Sequence, residues 1–150
     1  EVITVSALAD FDGQPGGAAL APDNRCAAMS VDDELATFSN YGEGVDIAAP
    51  GTCILSTLPG NVTKDGEYIP AYGYASGTSM AAPHVTGAIA RFLSENPDQR
   101  GEAWQQVLVW SSSHEILAEG DHDAAPEPVL YVGNGAPRYV PGKNAPPGSS

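Results

Sequence analysis

The stretch GTSMAAPHVTG, residues 77–87, sets a serine where a glycine-containing turn passes into a run of small apolar residues at helical spacing. Backbone N–H groups in the first turn of a helix have no intrahelical acceptor, and the aligned peptide dipoles place partial positive charge there. An oxyanion formed by attack of Ser79 on a carbonyl would be stabilised by the Ser79 N–H. Gly77 permits close approach of a substrate or a backbone angle closed to other residues. Pro83 falls in the first turns, where its missing donor costs less than it would further along. The chemistry this points to is acyl transfer through a serine nucleophile.

Such a serine needs a base, and none is evident within the chain. His84 lies five positions after Ser79, which turns it about 140° away on a helix at roughly 100° per residue, so it reads as a packing residue. His114 and His122 fall in late loops and read as solvated. Ser76, Ser94 and the serines at 111–113 lack the Gly-Thr-Ser context and read as turn, cap or surface residues. The pairs in Asp10-Phe-Asp-Gly and Asp121-His-Asp do not supply the ligand series of an EF-hand loop and read as solvated turns. Cys26 and Cys53 fit no zinc spacing. Asn61-Val62-Thr63 is a glycosylation acceptor only in a eukaryotic secretory pathway.

Several elements must position the serine. Ala81, Val85, Ala88, Ile89 and Phe92 recur at helical spacing from Thr78 until Asn96-Pro97 stops the helix. Its many small residues suit close packing on a sheet. Short apolar runs at 2–7, 45–49 and 53–58 predict strands, with Pro50-Gly51 as a turn. Residues 13–34 read as a long polar surface loop, and 61–74 as an irregular excursion or hairpin. A second helix is predicted over 102–112, with Ala103, Val107 and Trp110 on one stripe and Trp104 and Leu108 beside it. A last strand is predicted at 128–132. The tail 133–150 holds four Gly and four Pro and reads as disorder or a linker, leaving 1–132 as the domain.

Composition narrows the class. Of 150 residues, 42% are hydrophobic, which suits one globular core. Nineteen acidic against six scattered basic residues give a net charge of −13, so no basic footprint for nucleic acid exists and an anionic membrane surface is disfavoured. No apolar run approaches the roughly 20 residues of a spanning helix. Seventeen Gly and thirteen Pro argue against a helical bundle. EVITVSA reads as a buried strand and not as a signal peptide, which suggests a mature chain or a piece of one.

Three blocks in order, VITVSA, FSNYGEGVDIAAPG with CILSTLPG after it, and GTSMAAPHV, closely resemble the subtilisin-like serine proteases, the subtilases. The resemblance covers roughly residues 2–98 and extends more weakly through Gln105 and EPVLYVG. It implies part of an α/β, three-layer fold with a mostly parallel sheet, to which the strands at 2–7, 45–49 and 53–58 belong, its N-terminal half absent. It implies that Ser79 is the nucleophile of a serine endopeptidase, that the Ser79 N–H donates to the oxyanion, and that Thr78 supports that hole. The triad order Asp, His, Ser places the acid and base upstream of Val2, as is the oxyanion-binding Asn, so the isolated chain is expected to be inactive. The implied partners are a polypeptide substrate and the missing N-terminal half. No cofactor is required; the resemblance allows a weak calcium or sodium site near Asp46, although the reading of Asp46 as a strand-edge or turn residue is preferred. The family is predominantly exported, so a secreted location is expected. With only two cysteines and a loop too polar to be held by burial, a Cys26–Cys53 disulfide is expected. Two competing readings are a non-catalytic half-domain that binds a partner chain and an acidic calcium-dependent extracellular module.

Overall fold

The computed structural model describes residues 2–13, 19–22, 30–101, 103–111 and 127–132. Six elements follow in order: β1 (Val5–Leu8), β2 (Ile47–Pro50), β3 (Ile54–Val62), β4 (Tyr68–Ala75), α1 (Thr78–Glu95) and α2 (Ala103–Ser111). β1 and β2 pair in parallel, with Val5 opposite Ile47 and Leu8 opposite Pro50. The connection between them is some forty residues long, ample for the crossover that parallel pairing demands.

Side chains alternate across this small sheet. Ala7, Ile47 and Ala49 face α1 and pack with Ala81, Val85, Ala88 and Phe92, joined by Ala103 and Val107 of α2. The alanines let the helix backbone approach closely, while Phe92, fully buried, supplies the bulk that fills the gap. On the opposite face Leu8 and Ala48 pack with Leu35 and Val129. The outer edge of β1 is also occupied. Ala36 donates its N–H to Ala7 C=O at 2.8 Å, and the Ala7 N–H donates to Ser39 Oγ at 2.8 Å. Asp46 sits at the head of the sheet, its Oδ2 accepting the Thr4 N–H at 2.7 Å, which is the strand-edge role. α1 stops where expected: the N–H of Asn96 and its side-chain amide both donate to Phe92 C=O, and Pro97 follows.

Two expectations are corrected. Residues 53–58 do not join the parallel sheet; β3 instead forms a separate antiparallel pair with β4, Ile54 opposite Ala75 and Val62 opposite Tyr68. The reason is connectivity. Only Gly51, Thr52 and Cys53 separate β2 from β3, far too few for a crossover between parallel neighbours. Residues 61–74, read as an irregular excursion or hairpin, are the rest of that hairpin, whose ladder shifts register once, between Leu58 and Asn61. At 128–132 the predicted strand reduces to isolated bridging, with Val129 in parallel beside Ala48 and Arg91 of α1 donating to Val132 C=O at 2.5 Å. Exposed apolar surface gathers on the hairpin. Leu8, Ala48 and Ala49 of the parallel pair are buried, whereas Leu55, Leu58, Val62, Tyr68, Ile69, Tyr72 and Tyr74 of the hairpin are open to solvent. The second helix is present, with Ala103 and Val107 buried as its stripe predicted; the Trp110 side chain, Cys26, His114, His122 and the tail lie outside the described residues.

This division of labour sets unequal sensitivities. Phe92→Ala is expected to lower unfolding free energy by about 3–5 kcal/mol through lost burial and the cavity left behind. Tyr72→Ala, on the exposed hairpin, is expected to change it by about 0.5 kcal/mol or less. Urea unfolding of the two variants beside the parent checks the contrast.

Candidate active site

The chain reaches Ser79 through a junction where sheet, hairpin and helix meet. Gly51, just past β2, donates its N–H to Leu8 C=O at 2.9 Å and accepts the Gly77 N–H on its own carbonyl at 2.8 Å. A Cβ at Gly51 would lie 2.6 Å from Ala7 Cβ and 2.9 Å from Gly77 O, so only glycine fits between β1 and the entry to α1. Gly77 itself has φ +155°, a conformation L side chains rarely adopt. Beside it, Ser76 Oγ accepts the Cys53 N–H at 2.9 Å, and Cys53 takes a left-handed φ of +58°.

Helix α1 then begins without a side-chain cap. Its N-cap is Gly77, which has no side chain to offer, and no acidic residue occupies the first turn. Gly77 C=O takes the N–H groups of Met80 and Ala81 at 2.9 and 3.3 Å. Among the described residues no acceptor engages the N–H of Thr78 or Ser79. Ser79 is solvent-exposed and Ala81, two residues on, is fully buried. The arrangement therefore holds a hydroxyl at the surface on a rigid, buried base, beside two unspent donors at the positive end of a helix dipole. Such donors suit an anion that develops on a substrate oxygen.

His84 is not brought to this end of the helix. Its Nδ1 lies 2.8 Å from Met80 C=O, one turn back on its own helix, and the ring is partly buried, which fits the packing role. Ser94 Oγ donates to Arg91 C=O at 2.7 Å, again a local bond. Ser76 is the residue the sequence reading passed over. Its hydroxyl bridges to the turn after β2, a contact 23 residues away along the chain.

Residues 1–136 match the family model described as the subtilase family. Among curated relatives, fervidolysin of Fervidobacterium pennivorans is 41% identical over 100 residues, covering 59% of this chain and 14% of that protein. The thermophilic serine proteinase of Bacillus sp. (strain AK1) is 48% identical over 75 residues, covering 49% and 16%. An extracellular protease of Xanthomonas campestris pv. campestris is 47% identical over 90 residues, covering 60% and 15%. The matches thus span less than a fifth of those relatives' length.

Away from the helix N-terminus, the fold gathers carboxylates that the sequence separates. Asp32, buried, comes beside Asp10 and Asp12, the three offering oxygens within 4.8 Å of one another. Their oxygens are largely spent on the loop. Asp32 Oδ1 and Oδ2 accept the N–H groups of Phe11 and Ala19, both at 2.8 Å, and Asp10 Oδ1 accepts those of Asp12 and Gly13 at 3.2 and 2.6 Å. Burial raises the Asp10 pKa above its ordinary 3.8, the Gly13 and Asp12 N–H groups oppose this, and the charges of Asp33 and Asp32 add to it. A carboxyl whose folded pKa is raised contributes its full stability below the unfolded value and loses it as pH climbs through the folded value. Asp10→Asn, which keeps an acceptor oxygen for both N–H groups, is therefore expected to be more stable than the parent at pH 7. The gain should vanish below about pH 3.8. Urea midpoints at pH 7 and pH 3 check the sign.

Proposed function

The chain belongs to the subtilase family, and from that membership we propose that it carries the nucleophile end of a serine endopeptidase, with Ser79 forming the acyl-enzyme on a polypeptide substrate. The observation that carries this reading is the uncapped start of α1, where an exposed Ser79 hydroxyl stands beside the unspent Thr78 and Ser79 N–H groups. Ser79 Oγ would attack the scissile carbonyl carbon. Its proton would pass to a base and then to the leaving amine as the C–N bond breaks, and water would release the acyl group. The Ser79 N–H, with support from Thr78, would hold the oxyanion.

The base, its orienting carboxylate and the side-chain amide donor would come from polypeptide outside residues 1–150. His84, five positions along and bonded to Met80 C=O, does not face the nucleophile. The short span of the matches within much longer relatives supports this division. No cofactor enters the reaction, and a low-affinity calcium or sodium ion near Asp46 would be accessory to it. A secreted location is supported by the extracellular relative in Xanthomonas. An exported protein would also suit a Cys26–Cys53 bridge. Cys53 is buried at the turn beside the nucleophile's entry, and no free cysteine occurs among the described residues.

A fluorophosphonate probe should label the full-length gene product on Ser79, and Ser79→Ala should cut labelling and peptide hydrolysis by about 10³-fold or more. The isolated 150-residue chain should label no faster than an ordinary surface serine. Rapid labelling of the isolated chain, or undiminished hydrolysis by Ser79→Ala, would overturn the reading. For the bridge, unreduced exported protein should resist thiol alkylation, and reduction should cost about 3 kcal/mol of stability for a loop of this length. Two alkylatable thiols would exclude it.

A further inference from the structure

Two hydrogen bonds run in opposite directions between the turn after β2 and the entry to α1. Gly77 N–H donates to Gly51 C=O at 2.8 Å, and Cys53 N–H donates to Ser76 Oγ at 2.9 Å. The first is made by backbone alone and survives any change of side chain that the space allows. The second depends on one hydroxyl. Ser76 is the last residue before Gly77, and Gly77 C=O starts the helix by taking the N–H groups of Met80 and Ala81. A shift at Ser76 is therefore passed directly to the residue that sets where the first helical turn, and Ser79 with it, begins.

We propose that Ser76 is a positioning residue for the nucleophile: its hydroxyl, held by the Cys53 N–H, fixes the root of the β3–β4 hairpin so that Gly77 presents Ser79 and the neighbouring N–H groups in one geometry. The inference rests on Ser79 being the nucleophile. The Ser76 hydroxyl is engaged by the Cys53 N–H and acts on the nucleophile through Gly77. Cys53 has a left-handed backbone, φ +58°, in a buried turn, and the bond from its N–H is one of the contacts that holds it there. Without the hydroxyl, the hairpin, which makes a separate two-stranded sheet, loses the bond that closes its root beside the site. Transition-state donors must be placed to within a fraction of an ångström, so a small displacement there costs rate and not substrate affinity.

The test is made in the full-length gene product. Ser76 is solvent-exposed at the residue level, so the Ser76→Ala side chain meets no packing conflict. Ser76→Thr and Ser76→Val add a second comparison, matched in shape and differing only in the hydroxyl. Ser76→Ala and Ser76→Val are expected to lower kcat on a peptide substrate, and the rate of fluorophosphonate labelling, by about tenfold. KM should stay within about twofold and the pH profile should not move. Ser76→Thr should recover most of the loss. If Ser76→Ala and Ser76→Val lower only the melting temperature and keep parental kcat well below it, Ser76 is merely structural and the proposal fails. It fails equally if Ser76→Thr is as slow as Ser76→Val. Absence of Ser79-dependent labelling in the parent would bring down the nucleophile reading and this one together, whereas normal labelling in every variant would bring down this one alone.

Discussion

The contact between Gly51 and Gly77 governs what the rest of this structure can do. Two glycines from segments 26 positions apart meet with no room for a Cβ on the first, joined by the bond from Gly77 N–H to Gly51 C=O. Gly51 is in turn bonded to Leu8 at the end of β1. A single point thus transmits the position of the parallel sheet to the first turn of α1. The alanines at 7, 49, 81 and 88 serve the same constraint, because larger residues on either surface would lift the helix away from that point.

Around this contact the chain divides its chemistry unevenly. The buried face of α1 is apolar and tightly packed, with Ala81, Val85, Ala88 and Phe92 against the sheet. Its N-terminus, with Gly77 as N-cap, forgoes a side-chain cap at a cost of about 0.3 kcal/mol, and keeps its donors unspent. Local stability is given up where a ligand would supply the missing acceptors. Tertiary packing farther along the helix offsets that loss, which is why an uncapped start can still be rigid.

What could be read from the residues follows from how local the determinants are. α1 was legible because its apolar period, the glycine before it and Asn96-Pro97 after it all lie within twenty residues. β1 and β2 were legible as short buried runs, though their parallel pairing needed the resemblance. β3 was misread as a third parallel strand because Ile54, Leu55 and Leu58 look like a buried run when taken alone. The three-residue link from β2 already forbade it, and its partner is the strand with alternating tyrosines at 68–74, in a segment read as an irregular excursion or hairpin. Long-range polar contacts left no trace in the sequence. Nothing in the spacing of Asp10 and Asp32, or of Cys53 and Ser76, signals that the fold brings them together. The nucleophile was legible for the opposite reason: its chemistry is written in one continuous string.

The order in which these pieces can assemble follows from the two kinds of pairing. β3 and β4 are joined by a five-residue connection and need only a short loop to close, an event on the scale of microseconds. β1 and β2 pair residues 42 positions apart, Val5 with Ile47, and parallel pairing across such separations is slow because loop entropy is lost before any contact compensates. The hairpin can therefore be complete while Gly51 still has no β1 to rest against. During that interval the serine-bearing turn has no fixed shape. The junction therefore cannot become competent before β1 has paired with β2, however early the hairpin closes.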